Sequence, residues 1–89
     1  MNKSLVVDTE TTGKDEDKDR PVEIATVMVS RSRSGGTRWQ VSDLWTTLVN
    51  PEGQPISFGA MGTHHITEEM VDYAPLLEAA VPKKHPLRD

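Results

Sequence analysis

Ser4-Leu5-Val6-Val7-Asp8-Thr9-Glu10-Thr11-Thr12-Gly13 is the stretch whose reading decides the fold. Residues 4–7 form a short apolar run with β-branched side chains, the pattern of a buried strand, and its carboxyl end delivers Asp8. Side chains two apart on an extended backbone point the same way, so Asp8 and Glu10 present two carboxylates to one region of space. Hard anionic oxygens converging in this way suit Mg2+ or Mn2+, which take carboxylates and water rather than thiolates. Gly13 then lets the chain leave sharply. A bare Asp-x-Glu also occurs in many solvated surface loops; the apolar strand before it and the glycine turn after it set this one apart.

Outward from this stretch, Lys14 to Arg20 is a mixed-charge run that reads as a solvated loop. Pro21–Ser30 is the strongest strand signal, because β-branched residues dominate and proline is tolerated at the first position. Gly35-Gly36 interrupts the pattern and Trp39–Val49 resumes it, so residues 21–49 are expected to form a long antiparallel hairpin. Arg31, Arg33 and Arg38 cluster at its tip, where a solubilising role outweighs phosphate contact in a chain of net charge −4. Asn50-Pro51-Glu52-Gly53 is a turn in which Pro51 presets φ and Gly53 supplies the permissive position.

Residues 55–65 show no convincing period and hold glycines, so an irregular loop is expected there. Thr67 is a candidate helix N-cap, with Glu68 and Glu69 in a first turn where negative charge meets the helix dipole and the helix ending near Tyr73. Pro75 is expected to open a second short helix to about Val81. Pro82 and Pro86 bracket Lys83-Lys84-His85, and residues 83–89 are expected to be a disordered tail.

At 89 residues with 35% hydrophobic content, the chain can build one modest core at most. It contains no cysteine, which removes disulfides and Cys-based zinc sites and suits a reducing cytoplasm. His64 and His65 are adjacent, so on an extended chain they point apart and make a poor zinc pair. No stretch is long and apolar enough to span a bilayer, and a cytoplasmic protein with no membrane partner is expected. The acidic balance argues against gripping nucleic acid by bulk charge, yet allows contact through carboxylate-held metal ions.

Three segments carry a family resemblance. VVDTETTG (6–13) resembles the first motif of the DEDD superfamily of 3′-5′ exonucleases, and DRPVEIATV (19–27) resembles the strand that follows it there. NPEGQPISFGAMGTHHITEEMVDYAP (50–75) resembles the corresponding segment of the exodeoxyribonuclease X group and related proofreading and RNase T-like exonucleases. These come in family order and cover most of residues 4–82. The resemblance implies the N-terminal portion, residues 1–82, of a ribonuclease H-like exonuclease fold of the α/β (α+β) class. That portion would comprise a three-stranded, mostly antiparallel sheet and one or two short helices.

The same resemblance implies residue roles. Asp8 and Glu10 would be catalytic metal ligands for Mg2+ or Mn2+, in a mechanism where two ions about 3.5–4 Å apart activate water and stabilise the leaving 3′ oxygen. Thr9, Thr11, Met61 and His64 would contact the terminal nucleotide, and Glu23 would support the motif loop. The implied partner is a nucleic-acid 3′ end, DNA ahead of RNA. The family also needs further acidic ligands and a His or Tyr base from later motifs, and nothing after Val81 supplies them. A truncated chain with little activity of its own is therefore expected. A metal-dependent module binding nucleic acid or protein, or a non-functional remnant of a mobile element, stands as the alternative. Without the later strands, the first strand becomes an apolar edge, and self-association through it is expected.

Overall fold

Val22, Ile24 and Thr26 alternate with less buried neighbours along the β-branched run, and this run becomes the middle strand of the sheet. The computed structural model describes residues 2–31 and 38–88. Strands β1 (Asn2–Thr11), β2 (Pro21–Arg31) and β3 (Trp39–Leu48) form one antiparallel sheet in the order β1-β2-β3. The hairpin expected over 21–49 is thus present; its tip, with Arg33, Gly35 and Gly36, lies outside the described residues. β1 is longer than expected, since its pairing with β2 carries the strand through Asp8 and Glu10 to Thr11.

Three short helices cover part of one face: α1 (Phe58–His64), α2 (Glu68–Asp72) and α3 (Leu77–Ala80). α2 begins as expected, with the Thr67 hydroxyl accepting from the Met70 amide and Glu68 and Glu69 in its first turn. α3 starts later than the expected Pro75. The Pro75 carbonyl instead accepts from the Asn50 amide at 2.8 Å, as Asn50 and Leu76 form an isolated parallel bridge, and this holds the chain extended to Leu76.

α1 corrects the expected loop at 55–65. Ser57 caps it through its hydroxyl, and His65 closes it in the left-handed region at φ 61° with its amide on the Met61 carbonyl. No residue of α1 is fully buried; Ala60 and Met61 pack partly buried against the core beside these polar ties.

Neighbouring positions of β2 split the core in two. Val22 packs with Ile56, Ile66 and Val71 beneath α1 and α2, while Ile24 packs with Val49, Ala80 and Val81 beneath α3. Trp45 and Leu87 extend the second cluster, and this bears on the segment expected to be a disordered tail. Residues 82–88 instead fold back through a turn and a 3-10 turn (Pro86–Arg88), with Arg88 Nε donating to the Val81 carbonyl at 2.8 Å. Leu87 gives that return an apolar reason, which a Pro- and Lys-rich composition conceals.

The Cα radius of gyration, 15.6 Å, exceeds the roughly 12 Å of a compact chain this long. In the sheet, Val6, Val41 and Leu44 remain exposed. No described helix is long and apolar enough to cross a membrane.

Candidate metal and nucleotide site

The sheet register fixes where the two motif carboxylates point. Asp8 lies opposite Ala25 and Glu10 opposite Glu23, with no irregularity between them, so both side chains leave the same face of β1. Asp8 is exposed and Glu10 half-buried. Thr9 faces the other way, opposite the buried Ile24. The pairing breaks immediately after Glu10, where a bulge shifts Thr11 onto Pro21. Such irregularities re-aim a strand end, and this one turns the chain into the loop behind the carboxylates.

Two carboxylates on one face fit a single Mg2+ or Mn2+ ion, which is commonly held by one or two carboxylates with water and phosphate completing its shell. Glu23 is the direct cross-strand neighbour of Glu10. Even so, among the described residues no three His, Cys, Asp or Glu side chains come together as a metal-holding group. The donor set therefore suits one ion and provides no protein shell for a second.

Thr12 organises the loop that follows. It is fully buried and uses every polar group: its amide donates to the Arg20 carbonyl at 2.9 Å, and its carbonyl accepts from the Ser57 amide at 2.8 Å. Its hydroxyl donates to Asp19 Oδ1 at 2.6 Å and accepts from the Arg20 amide at 3.0 Å. Asp19 Oδ2 takes the Asp15 amide at 2.7 Å. The Thr12 hydroxyl first, and then the Asp15 amide, hold the Asp19 carboxyl below the usual carboxylate range. Gly13 sits against this carboxylate, and a Cβ there would lie 2.5 Å from Asp19 Oδ2. The need for glycine is thus one of space beside Asp19.

α1 closes the other side. His64 Nδ1 accepts the Ile66 amide at 3.0 Å, which leaves Nε2 as the protonated nitrogen that donates to the Thr11 carbonyl at 2.9 Å. The Thr11 hydroxyl is also engaged, on the Gly13 carbonyl at 2.6 Å. His64 therefore straps the end of α1 to the motif strand, as Ser57 straps its start.

Between strand and helix lies a cleft of about 700 Å3. Thr9, Glu10, Thr11 and His64, expected at the site from sequence, all line it, and so do Asp19 and Ser57, which sequence reasoning missed. Asp19 is hidden among the charges of the 14–20 loop, and Ser57 within a segment with no helical period. Asp8, Met61 and Glu23 are not among its lining residues. Met61 borders a second cleft, also about 700 Å3, on the other side of α1.

The family model for RNase T exonucleases matches residues 5–86. Among solved structures, exonuclease X in complex with 5′-overhanging duplex DNA is 36% identical, with a TM-score of 0.62 over 83% of this chain and 38% of its own. A full-length 3′-exonuclease, 20% identical with a TM-score of 0.68, covers 84% of this chain and 25% of its own, and shows likeness of fold alone. The chain thus spans well under half the length of either protein. No curated protein sequence matches it.

Proposed function

The chain belongs to the RNase T exonuclease family, and from that membership we propose that it engages the 3′ end of nucleic acid, DNA ahead of RNA, at the cleft between β1 and α1. Asp8 and Glu10 are the residues that would hold Mg2+ or Mn2+, and the observation that carries this is their shared face at the bulged strand end. A divalent ion bound there supplies charge for a phosphate and acidifies a water. Thr9, Thr11 and His64 shape the pocket for the terminal nucleotide, while Thr12 and Asp19 hold the strand end in place. Glu23 lies directly opposite Glu10 on β2.

With two carboxylates and no third donor assembled among the described residues, residues 1–89 alone are proposed to hydrolyse little. The same observation favours a second reading, in which the chain holds an end without cutting it. Paramagnetic broadening by Mn2+ tests the common premise. Amide signals of residues 8–11 are expected to broaden first, and Asp8→Ala to abolish the effect; uniform broadening would overturn the reading. Assays on 3′-labelled single-stranded DNA then separate cutting from holding, and trimming that survives Asp8→Ala would belong to another site.

A second copy is proposed to pair along β1, a sheet edge ten residues long. Sedimentation velocity over a concentration series is expected to show a dimer, and a monomer throughout refutes the pairing.

A further inference from the structure

The second cleft shares Pro55, Ile56 and Ser57 with the first, so the two are neighbours across one wall. That wall is fixed from both sides. The Ser57 amide bonds the Thr12 carbonyl at 2.8 Å, and the Ile56 amide bonds Glu68 Oε1 at 3.2 Å. The next residue, Phe58, lines the second cleft with its side chain 90% exposed. An exposed apolar residue is ordinary when scattered on a surface. Here the residue lines a cleft together with Pro55, Met61 and the exposed Glu69 of α2, one wall away from the cleft that Glu10 lines.

Adjacent clefts on one wall are what two consecutive nucleotides require. The chemistry of the second cleft selects the part of the nucleotide it takes. Carboxylates at the rim repel a phosphate, whereas an aromatic face stacks on any base, and a free carboxylate accepts from an exocyclic amino group. We propose that the cleft between α1 and α2 receives the unpaired base adjoining the terminal nucleotide, stacked on Phe58, with its amino group donated to Glu69. This rests on the first cleft being the terminal-nucleotide site. It makes the chain a reader of single-stranded 3′ ends that favours cytosine over thymine at the second position, since thymine has no amino group to donate.

The test is binding of short single-stranded DNA carrying 2-aminopurine as the second base from the 3′ end, followed by the probe's fluorescence in Mg2+. The wild-type chain is expected to quench the probe. Phe58→Ala is expected to leave it bright and to weaken binding by about tenfold or more, and Phe58→Trp to restore both. Glu69→Gln is expected to remove the preference for cytosine over thymine in otherwise identical oligonucleotides. The exposed position of Phe58 keeps the fold out of these comparisons, and equal melting temperatures check this. Wild-type affinity in Phe58→Ala, alongside lost affinity in Asp8→Ala, overturns the second subsite and leaves the first standing. Absence of binding by the wild-type chain overturns both.

Discussion

Thr12 donates its buried hydroxyl to the carboxylate of Asp19 at 2.6 Å, and this bond spans the loop that follows β1. Removing the hydroxyl leaves the Arg20 amide without its side-chain acceptor and loosens the loop at its root. Thr12→Val is expected to cost about 1–3 kcal/mol of unfolding free energy, the range for a buried hydrogen-bonding group left without its partner. Denaturant melts of the two proteins measure it.

The same carboxylate gives the loop an acid sensitivity of known sign. Hydrogen bonds to the ionised form lower the Asp19 pKa in the folded chain. The stabilisation is therefore complete above the ordinary carboxylate value, near pH 4, and is lost as pH falls through the lower folded value. Amide shifts of Thr12 and Asp15 are expected to move together below roughly pH 4. In Asp19→Asn this coupled transition should be missing.

Gly13 and Asp19 are expected to be coupled. A Cβ on residue 13 would lie 2.9 Å from Asp19 Cγ as well as 2.5 Å from Oδ2, so Gly13→Ala must push the carboxylate off its partners. The substitution should destabilise the wild-type chain clearly more than an Asp19→Ala background, where the obstructing group is gone. Equal losses in the two backgrounds would show that the glycine serves something other than this contact.

Much of this region is legible in the sequence alone. Period-two alternation places Asp8 and Glu10 on one face, and Thr67 announces its helix because capping is a local event. What stayed hidden is tertiary. α1 contains Gly59 and Gly62 and sets only Ala60 and Met61, partly buried, against the core, so neither propensity nor periodicity reveals it; Ser57 and His64 tie it to Thr12 and Thr11. Asp19 reads as one more charge in a solvated run, since its bond to Thr12 spans seven residues of irregular chain.

The cross-strand pair Glu10 and Glu23 carries an opposition between stability and metal binding. Like charges directly opposite one another weaken an antiparallel pair. Glu23→Gln is expected to raise stability by about 0.2–1 kcal/mol in chelator. If Glu10 helps hold Mg2+, the cation offsets its charge, and the gain should shrink when Mg2+ is added. Thermal melts of both proteins with and without Mg2+ measure the difference, and a gain indifferent to the ion would place Glu10 outside the metal site.

His85 fastens the returning C-terminal segment. Its Nδ1 accepts the Leu87 amide at 3.1 Å, so the protonated Nε2 donates to the buried Thr26 hydroxyl at 3.2 Å, and its ring lies 4.4 Å from that of Trp45. A hydrogen bond and an aromatic contact of these kinds contribute about 1–3 kcal/mol together. His85→Ala is expected to lose that amount and to change Trp45 emission, read in a Trp39→Phe background so that one indole reports. His85→Phe, which keeps a ring against Trp45 but cannot serve Thr26, should fall between. A disordered segment would leave all three proteins alike in melting and emission, whereas a graded series follows only if residues 82–88 pack on the sheet through His85.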